Sequence, residues 1–128
     1  MYSVYPHKDD KHILVIELSG ILTVQDLKDL NIEVANDYLE KMTDKVGLLY
    51  LLEDVKKYPQ DIKRISDASK PISTSDKVVL QVFLGNESPI FKFLVNVVAG
   101  LFGEKLYRAK NMDDALNKFA EEWSKSKN

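Results

Sequence analysis

The sequence predicts an α/β fold: a mixed, mostly parallel five-stranded sheet with about four helices. Three observations predict it. Apolar runs of strand length alternate with runs of helical period, the order of a parallel sheet with helices packed against it. Two strand-like segments at the start meet across a short charged turn, so one hairpin precedes the alternation. No linker, repeat or low-complexity tract interrupts the 128 residues, a length that suits one sizeable core. Residues 1–128 are therefore expected to form a single domain.

The elements follow in order. Residues 2–7 read as a short strand and Asp9-Asp10-Lys11 as the turn. Residues 12–20 are apolar nearly throughout, the pattern of a strand covered on both faces, and Gly20 ends them. Thr23-x-x-Asp26 is a capping box, in which hydroxyl and carboxylate each bond the other residue's amide at a helix start. That helix is expected to reach about Met42, with Leu27, Leu30, Val34 and Tyr38 as its apolar stripe. Residues 46–52 carry no charge and read as a central strand. Pro59 suits the first turn of a helix through Ser69 that points Ile62, Ile65 and Ala68 inward. Pro71 and Ser73-Thr74-Ser75 break that helix, and residues 77–84 form another buried strand that stops at Gly85-Asn86. Residues 89–102 read as a helix, with a strand as the competing assignment because Val95, Val97 and Val98 are β-branched. A short strand over 105–109 follows. Asn111 then caps a last helix with Asp113 and Asp114 in its first turn and Leu116, Phe119 and Trp123 on one face.

Residues 89–102 hold the strongest functional signal. Wound as a helix, their non-apolar members Pro89, Lys92, Asn96 and Gly100 share one side. The rest is an apolar arc of roughly 240°, about twice what a helix lying on a sheet needs. The surplus is covered by more of the fold, by a partner subunit, by an apolar ligand or by a membrane surface. Three large side chains left outward would expose about 300 Å², as much as the largest patch on a typical monomer. Covering them would contribute roughly 7 kcal/mol before ordering costs. The ligand- or interface-binding residues expected here are Phe91, Phe93, Leu94, Val98, Leu101 and Phe102.

Composition narrows the function further. A net charge of −2, with Arg64 and Arg108 the only arginines, gives no basic face for nucleic acid. The absence of cysteine excludes a disulfide framework and a thiolate metal site. The first ten residues lack the basic and apolar regions of a signal peptide. No apolar run reaches the ~18–20 residues that span a bilayer, so no stable membrane insertion is expected. A cytoplasmic chain is the expectation.

The order of elements resembles the STAS superfamily, and more narrowly its stand-alone SpoIIAA-like (STAS, CRAL-TRIO-like) domains. Two pieces carry the resemblance: Glu17-Leu-Ser-Gly-Ile-Leu-Thr-Val-Gln-Asp26, and Leu106-Tyr-Arg-Ala-Lys-Asn-Met-Asp-Asp-Ala-Leu-Asn-Lys-Phe119. Both are structural motifs, so the resemblance implies a fold more than an activity. Phosphorylation-controlled members carry a serine-bearing turn after the central strand. Here residues 52–59 contain no serine or threonine, and Glu53 and Asp54 are expected in that turn. The phosphoserine switch is therefore not carried over. The resemblance implies a module for a small apolar, lipid-like ligand, and the apolar arc of residues 89–102 adds self-association as a homodimer. A regulatory module engaging a larger protein is the alternative.

Catalytic constellations are sparse. His7 and His12 flank the first turn, but a metal site needs three or four ligands, so no metal is expected. Glu53 and Asp54 lie past the central strand, the edge where parallel sheets bind ligands. As neighbours in an extended chain they would point to opposite faces, which argues against one acid–base site. Ser66, Ser69, Ser73, Thr74 and Ser75 have no histidine near them in sequence to activate a hydroxyl. Gly100-x-x-Gly103 is no phosphate loop. No enzyme and no cofactor are expected.

Overall fold

The structure, a computed structural model, describes residues 1–85, Lys92, Asn96, Gly100 and residues 105–126. Five strands lie side by side in chain order: β1 (Tyr2–Pro6), β2 (Ile13–Ile21), β3 (Val46–Lys57), β4 (Val78–Leu84) and β5 (Leu106–Ala109). β1 runs antiparallel to β2, and every other neighbouring pair is parallel. The helices are α1 (Val24–Glu33), which continues as a wider turn over Val34–Leu39, then α2 (Ile62–Ala68), α3 (Lys70–Ser73) and α4 (Met112–Ser126). This is the mixed, mostly parallel α/β sheet that the sequence predicts.

Right-handed crossovers between neighbouring parallel strands place their helices on one face. α1, its extension and α3 accordingly cover the face that carries Leu14, Ile16, Leu48 and Tyr50, sending in Leu30, Val34, Leu39 and Ile72. α4 follows the last strand and is free of that rule. It packs Ala115 and Phe119 on the other face, against Ile13, Val15, Leu49, Leu80 and Val82.

The starts of α1, α2 and α4 are held by side chains. Thr23 Oγ1 accepts from the Asp26 amide (3.1 Å) while Asp26 accepts from the Thr23 amide (2.9 Å), the expected capping box. Asn111 accepts from the Asp114 amide at 2.8 Å, as expected. Asp114 also accepts from the Lys110 amide (2.9 Å) and the Tyr107 hydroxyl (2.9 Å). Those bonds, the amide first, hold its carboxyl below the usual aspartate value. At the far end of α4, Trp123 Nε1 donates to Asp10 at 2.9 Å, and its ring meets His12 edge-on.

Four expectations need correction. The first helix widens after Glu33, where the Glu40 amide reaches the Ala35 carbonyl at 3.1 Å. The inward stripe therefore steps from Val34 to Leu39, which is buried, rather than to Tyr38, which is half-buried. α2 starts later than Pro59 and is capped by Asp61, whose carboxylate accepts from the Arg64 amide at 3.2 Å. That start leaves Ile62 in the first turn at 45% exposure instead of inward. Pro71 sits in the first turn of α3 rather than only ending α2. β2 is not covered on both faces throughout, because Glu17 is exposed.

Two buried details fix the packing. A Cβ added to Gly47 would fall on the Phe119 ring, 2.7 Å from Cδ1 and closer still to Cε1. The missing side chain on β3 is thus the seat of the α4 aromatic. On the opposite face the Tyr50 hydroxyl donates to Gln81 Oε1 at 2.8 Å, and the Tyr50 ring stacks on Phe83 at 4.6 Å. Gln81 is fully buried, and its Nε2 has no hydrogen-bond partner among the described residues. Burial pushes the Tyr50 phenol well above its ordinary value.

Gly47→Ala should lower the unfolding free energy by about 1–3 kcal/mol, as overpacking does. Combined with Phe119→Leu it should cost less in urea melts than the two single changes summed; strict additivity would refute the seat. Tyr50→Phe leaves both ends of the Gln81 amide unpaired in the interior. It should therefore destabilise more than the double variant Tyr50→Phe with Gln81→Leu, by about 1–3 kcal/mol.

Candidate functional site

A cleft of about 510 Å³ opens at the carboxyl edge of the parallel strands, the edge where sheets of this kind bind ligands. Its volume falls within the ~300–1,000 Å³ of small-molecule pockets. Leu51, Leu84 and Met112 form its apolar lining, and Glu17, Glu53 and Asp54 bring three carboxylates to it.

The strand geometry explains why two adjacent carboxylates meet in one cleft. Glu17 pairs with Leu51, but Ser19 pairs with Asp54, so Leu52 and Glu53 together oppose Leu18. β3 thus carries an extra residue, a β-bulge, which breaks the two-residue alternation and re-aims side chains. Leu52 and Val55 point into the same core cluster although three positions apart, and Glu53 and Asp54 between them both line the cleft. This corrects two expectations. The two carboxylates stand inside a strand that continues to Lys57, not in a turn. Their adjacency does not send them to opposite faces.

Glu17 is fixed from β1. The Tyr5 hydroxyl donates to its carboxylate at 2.5 Å, and that bond chiefly raises the Tyr5 phenol above its ordinary value. Met1 and Ser19 pair in both directions at the rim, with the Met1 ammonium donating to the Ser19 carbonyl at 3.0 Å. Gly85 closes the far side with φ +93, and a Cβ there would lie 2.9 Å from the Glu53 amide nitrogen. Only glycine suits both the left-handed backbone and that approach.

No histidine reaches this cleft. His7 Nδ1 accepts from the Asp9 amide at 3.1 Å, and His12 packs against Trp123. Among the described residues no three histidine or carboxylate side chains stand together as a metal would need. Arg108 is exposed on β5, opposite Phe83 of β4, and does not line the cleft.

Phe91, Phe93, Leu94, Val98, Leu101 and Phe102, the binding residues expected from sequence, lie outside the described residues. Lys92, Asn96 and Gly100, the polar positions of the same segment, are helical and exposed. No helix among the described residues is long and apolar enough to cross a membrane. A second, shallower groove of about 390 Å³ runs between α1 and the α2–α3 pair, with Ile32, Ala68 and Pro71 beside Lys28 and Arg64.

The fold has solved counterparts. A protein of the DUF3478 family with a SpoIIAA-like fold, from Shewanella loihica PV-4, superposes with a TM-score of 0.62 at 13% identity over 91% of this chain and 90% of its own. The Bacillus cell fate determinant SpoIIAA in its phosphorylated form gives 0.59 at 11% identity, over 93% of this chain and 99% of its own. No family model and no curated protein matches the sequence. The chain has a SpoIIAA-like fold.

Gly85→Ala should cost about 1–3 kcal/mol, the strain of a left-handed backbone in a residue with a Cβ. The amide resonance of Glu53 should move with it in NMR spectra; an unstrained variant with Glu53 unmoved would contradict the close approach.

Proposed function

We propose that this chain is a non-enzymatic SpoIIAA-like module that binds a small apolar, lipid-like ligand or a second copy of itself through residues 89–102, without a phosphoserine switch. One observation carries the proposal: Lys92, Asn96 and Gly100 are helical and exposed. They are the polar side of the segment whose remaining circumference is apolar, so the water-facing positions are the ones the helical reading requires. An arc far wider than a sheet-packed helix needs calls for a cover, and a ligand or partner copy supplies it.

Two features support the absence of the switch. Residues 52–59 hold no serine or threonine to modify. The start of α2, where a phosphate would gain most from the helix dipole, already holds the Asp61 carboxylate. The absence of histidine from the carboxyl-edge cleft supports a binding role over catalysis.

A regulatory module for a larger protein is the second reading. It is favoured by the groove beside α1, where Ile32 stands 43% exposed next to Lys28 and Arg64.

Native mass spectrometry and organic extraction of the purified protein, with sizing at two concentrations, separate these readings. The proposal expects a co-purified apolar ligand or a concentration-dependent dimer, and Phe93→Glu should abolish either while the protein stays folded. A lone monomer with a clean apo mass contradicts it. Loss of folding in Phe93→Glu would also contradict it, placing the segment in the core.

A further inference from the structure

We propose that the cleft at the carboxyl edge of β2 and β3 binds a small organic cation with an apolar body, such as an alkyl- or arylalkylamine. This site is separate from residues 89–102 and does not depend on the reading given for them.

The first support is where the charges sit. Interior strands of a parallel sheet are normally apolar on both faces. β2 and β3 are interior and follow that rule until the cleft, where Glu17, Glu53 and Asp54 replace apolar residues. Charges placed where the fold favours grease mark functional positions more often than structural ones. The second support is their construction. Tyr5 pins the Glu17 carboxylate, and the bulge turns Glu53 and Asp54 to the same side. Gly85 holds the β4 turn against the Glu53 backbone.

The lining sets the ligand class. Among the described residues, three carboxylates against the Met1 ammonium leave the cleft negative, which attracts a cation and repels fatty acids or phosphates. The carboxylates do not gather as a metal ion requires. Leu51, Leu84 and Met112 take an apolar body beside the charge. An organic ammonium joins those two properties in one molecule of suitable size.

The test is an NMR titration of the ¹⁵N-labelled full chain with hexylammonium chloride, and with hexanol and sodium hexanoate at equal concentration. Hexylammonium should saturably shift the amides of Leu51, Glu53, Leu84 and Gly85, hexanol should bind more weakly, and hexanoate should leave them unmoved. Glu17→Gln with Glu53→Gln should weaken hexylammonium by about three- to thirtyfold, the range expected for two partly exposed ion pairs. Both side chains are exposed, so that variant keeps its fold, which its spectrum verifies. Equal shifts from hexylammonium and hexanol, an unchanged affinity in the variant, or shifts confined to other residues would each overturn the proposal.

Discussion

The seating of Phe119 over Gly47 decides where α4 lies on this sheet. Among the described residues, one face receives three helical pieces and the other receives α4. Its 15 residues span about 22 Å, and both ends are tied. Asn111 and the Tyr107–Asp114 pair hold the start beside β5, and Trp123 meets Asp10 near the beginning of β2. The helix therefore crosses diagonally. Among the described residues, the corner where β2 and β3 end is lined by Glu17, Leu51 and Glu53 beside the start of α4, and the cleft opens there.

Electrostatics and backbone geometry act there together. A regular β3 would alternate its side chains and divide Glu53 from Asp54. The bulge opposite Leu18 removes the alternation at one step, and Leu52 and Val55 remain in the core. The irregularity thus keeps the interior contacts and gathers negative charge outside them. Repulsion among these carboxylates is moderated by water and by the Tyr5 hydroxyl on Glu17.

Much of the fold was legible because its signals are local. The capping box at Thr23 and Asp26, the Asn111 cap and the apolar strands each depend on a few adjacent residues, and each stands where the sequence puts it. The errors arise where backbone hydrogen bonding departs from its regular period. The wide turn at Val34–Leu39 advances the buried stripe by five residues rather than four, and a reading at 3.6 residues per turn cannot show that. The bulge opposite Leu18, and a second shift where Gly20 pairs with Val55 but Ile21 with Lys57, carry β3 past charges that read as a turn. Asp61 displaced Pro59 as the start of α2 because a carboxylate at the cap outweighs a favourable proline. The candidate cleft was legible only as an edge. That Glu17 joins Glu53 and Asp54 follows from strand order and from the path of α4, neither of which is written in local sequence.

The absence of cysteine from the sequence makes partial coverage of the second face directly measurable. Single variants Val15→Cys and Glu17→Cys place a thiol on the same strand and face, two residues apart, one under α4 and one beyond it. Maleimide labelling under native conditions should modify the thiol at 17 at nearly the rate of an unfolded chain and that at 15 only through unfolding. Equal protection at both positions would mean that the corner is covered, and the cleft with it would be lost.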